Sequence, residues 1–402
     1  MSAVHWRYAH TTLALCTLAF MATMVARLVI SPLVPMITES FAVTNATVGL
    51  ALSGMWAAYA LAQFPSGVLG DRYGERTVIL TAVGATAVAA LLIAVSPAVV
   101  AFMLFTILLG AGAGLHYSVA TTFLTKQFDD IGRAIGVHVA GGPLAGLIAP
   151  PAAALVGARY GWRAGILLGA LAAVPVFLLF AWRIRPTDPV RPDQPMRERF
   201  AVGPLVELLS RPSILYTTLL ATLGAFSWQA TASFLPTFLS VGGGLSTALA
   251  ALLFSLYFLV HGGTQPVTGT LSDRFDRDTA AMLTMSAGVL GYGLLVAVAA
   301  DVAVLDPVGL APTVLGVVLV GLAMSWGAPV QSRFMDHLAT EERGAGFGLV
   351  RTVYMVIGAS GSVVVGALSD VAGWTVAFGL LAVVMAIGLT TLVANRLLSL
   401  GY

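Results

Sequence analysis

The chain has one cysteine, Cys16, and one lysine, Lys126, among 402 residues. A lone cysteine excludes an intrachain disulfide. The remaining bases are arginines scattered along the chain, so there is no lysine-rich tail for nucleic acid, and a formal net charge of +2 adds no case for one. Charge of either sign is scarce: Asp, Glu, Lys and Arg make up 9% of the residues, against about 25% in a soluble domain. No His/Cys/Asp/Glu set stands at metal-ligand spacing, and no nucleophile stands near a base. No metal, no cofactor and no enzyme chemistry are therefore expected. The 18 Asp and Glu residues also avoid the apolar stretches, falling in predicted loops or at helix ends. A buried cation site, which needs such an acid, is correspondingly disfavoured.

What fills the chain is hydrocarbon. It is 58% hydrophobic, with a mean hydropathy of +0.93, so lipid is the solvent for most of its surface. Runs of about 20 apolar residues predict membrane-crossing helices. Twelve are expected, over roughly 11–37, 46–70, 77–96, 98–125, 131–157, 163–183, 213–239, 246–271, 279–300, 311–335, 344–368 and 374–396. The first is too long for the core of a cleaved leader. Thr44 and Ser246 are placed to cap the second and eighth. Residues 184–212, rich in arginine and proline, cannot lie in hydrocarbon and predict a linker, with a short surface helix at 197–209. The expected organisation is a bundle over 1–183, a linker over 184–212 and a second bundle over 213–402. Sixteen of the 20 Lys and Arg flank the linker side, which predicts a multi-pass protein of the cell membrane with both termini and the linker in the cytoplasm.

The two halves repeat. Gly67-Val-Leu-Gly-Asp71-Arg72-Tyr-Gly74-Glu-Arg76 recurs 202 positions later as Gly269-Thr-Leu-Ser-Asp273-Arg274-Phe-Asp-Arg277, and Gln63 recurs as Gln265. A second echo, at an offset of 212, matches Gly161-Trp162 with Gly373-Trp374. Duplicated turns at half-length spacing are a signature of transporter repeats. On physical grounds Asp71 and Asp273 are expected to accept from helix N-terminal amides, and Gly67 and Gly269 to admit a neighbouring helix closely. Small residues at Gly110, Gly112 and Gly114 are read as helix packing rather than a phosphate loop. The charged turn resembles that of the major facilitator superfamily, keeping Gly67, Leu69, Asp71, Arg72, Gly74 and Arg76 and departing at Glu75. The resemblance implies an all-α membrane fold of twelve helices in two pseudo-symmetric six-helix bundles. It also implies a substrate site between them, alternating access, and a cytoplasmic gate at Gly67, Asp71, Arg72, Gly74, Arg76, Gly269, Asp273 and Arg274. The family's helix-four arginine falls at Thr106, and its antiporter motif survives only as Gly142-Pro143-x-x-Gly146, which argues against proton–drug antiport.

An ionised side chain at mid-membrane costs about 3 kcal/mol on insertion scales, so it marks function by default. Arg27 sits deep in the first predicted helix and is the expected anion centre; the rival is a structural bond to carbonyls at a break near Ser31-Pro32. Its echo in the seventh helix falls at Trp228 and Gln229. Arg351 is expected either to bind substrate or to bridge to Asp336 or Asp273 in a gate. Tyr59, Gln63 and Gly67 share one helix face, echoed by His261, Gln265 and Gly269, which predicts either a lined cavity or bonding between halves. His116 and His138 are candidates to carry a coupling proton, or simply carbonyl-bonded core histidines. The expected activity is secondary transport of a small organic or inorganic anion by a monomer, with lipid as its other partner. Export of neutral or cationic amphiphiles, or a non-transporting membrane sensor, are the alternatives.

Overall fold

The computed structural model describes residues 8–192, 203–301, 309–339, 345–399 and 401, and every regular element among them is helical. In the first half these are α1 (Tyr8–Leu28), α2 (Val34–Phe41), α3 (Asn45–Tyr73), α4 (Glu75–Ala94), α5 (Val99–Thr125), α6 (Ile131–Val139), α7 (Gly141–Tyr160) and α8 (Trp162–Arg183). After α9 (Gly203–Leu209) come α10 (Pro212–Thr237), α11 (Thr247–Arg274), α12 (Arg277–Ala299), α13 (Ala311–Ala323), α14 (Gly327–His337), α15 (Ala345–Gly358) and α16 (Ser360–Leu397). Several spans are broken helices. Pro32 and Pro35 supply no backbone donors, and the chain passes from α1 to α2 through a 3-10 turn at Ser31–Leu33. The pairs α6–α7 and α13–α14 are likewise single spans interrupted at mid-course.

Among the described residues nine helical stretches are long and apolar enough to cross a membrane, and the last is split at Gly373 into two. The more polar α3 and α10 complete the twelve spans. Those two carry buried polar residues such as Ser53, Gln63, Gln229 and Ser233 where a lipid-facing helix would carry leucine. In the first bundle α5 packs between α3 and α4, while α1 lies on α7 and α8. In the second, α12 packs on α13 and α16, and α10 on α15 and α16. The bundles meet where α3 lies on α15 and α16, and again where α7 lies on α11.

The internal echo is structural. Helices α3 and α11 begin 202 residues apart, each capped as expected: Thr44 and Ser246 accept from the amides three residues on. Gly161 and Gly373, 212 apart, adopt nearly the same backbone, φ 83° and ψ 161° against φ 84° and ψ 167°. That region is essentially closed to residues with a Cβ. Gly110 and Gly114 lie against the carbonyls of Met55 and Tyr59, so they pack α5 on α3 as read.

Two expectations for the charged turns fail. Asp71 and Asp273 lie in the last turns of α3 and α11 and do not cap the following helices. The helices run on further than the sequence suggested; α4 starts from Gly74 at φ 80°, and Asp276 caps α12 by accepting from the Thr279 amide at 3.1 Å. Partial burial pushes the Asp276 carboxyl up, but the Thr279 amide and hydroxyl outweigh it and hold the group below its ordinary range. Nor do Gly67 and Gly269 admit a close neighbour: a Cβ at 67 would meet open space, and one at 269 only Ala328 at 3.8 Å. The turns instead tie up charge within each bundle. Lys126 pairs with Glu75, Arg333 with Asp278, and Arg277 with both Asp273 and Asp336. Arg76 donates to the carbonyls of Ile184 and Ala181, both at 2.7 Å, and the Arg191 amide donates to the Asp71 carbonyl at 2.9 Å, so the linker's start is bound to the first turn. Of the predicted surface helix at 197–209, Gly203–Leu209 is helical and 197–202 lie outside the described residues.

Candidate functional site

A cavity of about 260 Å³ lies between the bundles at mid-depth. Helix α1 brings Arg27 to its wall, and only 1% of that residue is exposed. Its Nε donates to the Thr23 carbonyl one turn back at 3.1 Å, and a terminal nitrogen lies 2.8 Å from the Met24 sulfur. The guanidinium carbon stands 4.1 Å from the Tyr59 ring centre and 5.2 Å from that of Trp56. The helix break is thus not what holds Arg27; its own preceding turn is. Ser31, at that break, bonds instead to the Ala232 carbonyl of the other bundle.

Arg351 enters from α15. It donates to Gln63 Oε1 at 2.8 Å and lies over the Tyr117 ring at 5.0 Å. It bridges to neither Asp336 nor Asp273, because Arg277 already holds both acids near the linker-side ends of α11, α12 and α14. Among the described residues no carboxylate pairs with Arg27 or Arg351. The cavity therefore presents positive charge answered by π-faces, an amide and a thioether.

The predicted residues largely converge. Arg27, Tyr59, Trp228, Gln229, His261, Gln265 and Arg351 line this cavity. Gln63 and Gly67 line a smaller adjoining one, shared with Arg351, so Gln63 also serves as a bond between halves. Gln229 Nε2 donates to the Met355 carbonyl at 3.0 Å, leaving its Oε1 without a partner among the described residues. Among the same residues His261 Nδ1 and Trp326 Nε1 are also without a partner. Buried polar atoms without partners are uncommon, and here three belong to residues of the cavity lining. His116 and His138 do not line the cavity; they sit behind Phe20 and Tyr117, which do. Asp71, Arg72, Gly74, Arg76, Gly269, Asp273 and Arg274 lie at the linker-side ends of α3, α4 and α11, remote from the cavity lining. Sequence reasoning missed Trp56, Tyr117, Trp326 and Tyr354. Two carried a signal: Trp56 stands three residues before Tyr59 and Tyr354 three after Arg351, hence on the same helix faces.

The cleft is closed on the side away from the linker. There Asp370 accepts from the Asn45 amide at 3.1 Å, the Asn45 side chain at 2.9 Å and the Ala46 amide at 2.7 Å, placing an acid of one bundle on the N-terminus of α3 in the other. Ser53 donates to the Ala359 carbonyl at 2.6 Å, and a Cβ on Gly49 would come 2.6 Å from the Ser362 carbonyl. Toward the linker, Gly67 and Gly348, on the smaller cavity, face open space.

The sequence matches the family model of the Major Facilitator Superfamily over residues 15–311 and 244–398, and the chain belongs to that family. It is 25% identical over 395 residues to the "Probable sulfoacetate transporter" of Cupriavidus necator, covering 90% of this chain and 88% of that one. It is 25% identical over 370 residues to the human "Voltage-gated purine nucleotide uniporter", covering 88% and 84%. A membrane sensor protein of Salmonella typhimurium is 29% identical over 157 residues, covering 38% of this chain and 35% of the sensor. Among solved structures, a bacterial homologue of the human lysosomal transporter Spinster, inward-facing and unoccupied, superposes with a TM-score of 0.80 at 16% identity, covering 98% of both chains.

Proposed function

We propose that this major facilitator chain is a secondary transporter that carries a small organic anion by alternating access, with the site between its bundles. The observation that carries the reading is the pair Arg27 and Arg351, both on the cavity and neither matched by a carboxylate among the described residues. A guanidinium in a low-dielectric cleft is costly unless its charge is answered, and an anion with two acceptor oxygens answers it in the fork geometry arginine favours. Tyr59, Trp228 and the amides of Gln229 and Gln265 would orient the body of the ligand, with Gln63 and His261 beside it. The whole-length relatives named for sulfoacetate and for purine nucleotides both have anionic cargo in their names. The excess of Lys and Arg on the linker side supports a cell-membrane protein with the linker and both termini in the cytoplasm. The closed far side and open linker side then correspond to an inward-facing carrier. The two Asp-Arg turns would latch that mouth when it shuts, and one chain, bundles 1–183 and 213–402 about the 184–212 linker, would suffice.

The test is counterflow in proteoliposomes loaded with sulfoacetate or glucuronate, with neutral xylose as control. Anion exchange that falls tenfold or more in Arg27→Gln, a loss of about 1.4 kcal/mol of binding, is expected. Equal exchange in the variant, or xylose exchange at the same rate, overturns the reading. The sensor relative favours a second reading, in which the same cleft binds its anion without moving it. Anion-dependent thermal stabilisation of the purified protein with no counterflow would select that one.

A further inference from the structure

Behind the cavity wall lies a polar cluster that the anion site does not use. His116 of α5 and His138 at the end of α6 are both fully buried, with ring centres 5.4 Å apart. His116 Nε2 lies 3.2 Å from the Cys16 carbonyl of α1. Among the described residues His116 Nδ1 has no partner, and neither nitrogen of His138 makes a well-formed hydrogen bond, although the Cys16 carbonyl also acts on that ring. A neutral imidazole carries one N–H, so His138 keeps at least its acceptor buried and unanswered. The cost of such groups is about 1–3 kcal/mol each, which an apolar side chain at 138 would avoid.

Aromatic rings connect this pair to the cavity. Phe20 packs 5.3 Å from His138 and 6.2 Å from His116, and Tyr117 packs 6.0 Å from His138. Both rings line the cavity on their other side, and Tyr117 carries the Arg351 guanidinium. The charged group that acts on the pair is Arg27 of α1, which reaches His116. The nearest acids along α6, Asp129 and Asp130, stand at least eight residues from His138, about 12 Å at helical rise.

We propose that His116 and His138 form one protonation site that couples transport to a proton, taken up onto a ring nitrogen of the pair as the anion binds. This rests on the anion reading of the cavity. The physical reason is charge. Burial opposes a positive charge on the pair most, and with the cavity empty Arg27 adds its own opposition at His116. An anion between the guanidiniums removes that opposition, so anion and proton favour each other's binding, and by reciprocity each raises the other's affinity equally. Among the described residues no Asp or Glu lines the cavity, and the histidine pair takes the place of an acid that would hold such a proton.

Counterflow and proton movement are measured on the same proteoliposomes, using sulfoacetate and glucuronate as probes and a trapped pH dye. The wild-type protein is expected to move protons inward with an inward anion gradient. His116→Gln, His138→Gln and the double variant are expected to move about tenfold fewer protons per anion, a ratio that does not depend on how much protein folds. Their apparent affinity for the anion should lose the rise with falling pH seen in the wild type. Wild-type net anion uptake without proton movement, or an unchanged proton-to-anion ratio in the double variant, overturns the proposal and leaves the anion reading standing. No wild-type exchange of either probe removes both.

Discussion

Arg27 depends on Tyr59 for more than proximity. The guanidinium is stripped of water, holds one carbonyl and one sulfur, and faces the tyrosine ring at 4.1 Å. A desolvated cation–π contact is worth about 2 kcal/mol and resides in the ring, not the hydroxyl. Tyr59→Phe is therefore expected to hold apparent anion affinity within about threefold, and Tyr59→Leu to weaken it by ten- to thirtyfold, checked by concentration dependence of counterflow. Equal losses in both would show that the hydroxyl, not the face, serves the site. At this scale much was legible in advance. A charge in an apolar span is conspicuous, and the duplicated stripe through Gln63 and Gln265 pointed to one interface. The aromatic walls were not, because Trp56 or Trp326 in an apolar helix looks the same from the sequence whether it faces a core or a cleft. The fate of Asp336 and Asp273 was hidden too, since it turned on Arg277 reaching both first.

The helices themselves were readable to within a few residues, since twelve apolar runs with polar punctuation leave little freedom. Their ends were less so. Asp71 and Asp273 looked like caps because acids favour helix N-termini, yet α3 and α11 run through them. What stops a helix here is a backbone conformation, visible only in coordinates: Gly74, Gly161 and Gly373 all have φ between 80° and 84°. The last two make the sharp connections between spans five and six and between eleven and twelve. Alanine at Gly373 should cost about 1–3 kcal/mol, since its φ/ψ region excludes a Cβ. Gly373→Ala is expected to lower the apparent melting temperature in detergent by several degrees. Gly379→Ala, six residues on in the same helix with open space around it, should not lower it. Matching melting temperatures would mean that the bend relaxes without glycine.

For the molecule as a whole, Asp370 is the contact to test. Its carboxylate spans the two bundles at the far rim and satisfies donors at the start of α3. Such exposed charge-assisted bonds contribute about 1 kcal/mol, small against a fold but comparable to the gap between two carrier states. Spin labels at the exposed far-side positions Val95 and Val241 would report the rim distance. Asp370→Ala is expected to add a longer-distance population absent from the parent. An unchanged distribution would leave closure to the apolar and glycine contacts beneath it.

The two unmatched guanidiniums carry an electrical consequence. An empty carrier holds two fixed positive charges at mid-depth, and a charge crossing the whole membrane gains about 2.3 kcal/mol per 100 mV. If rocking moves both by a tenth of the thickness, a resting potential biases the empty states by about 0.5 kcal/mol toward the one that shifts them cytoplasm-ward. A bound dianion with its proton would leave one positive charge of the two and halve that bias. Voltage would then act more on the unloaded return step than on the loaded crossing, and charge-displacement transients that shrink as anion is added would reveal it.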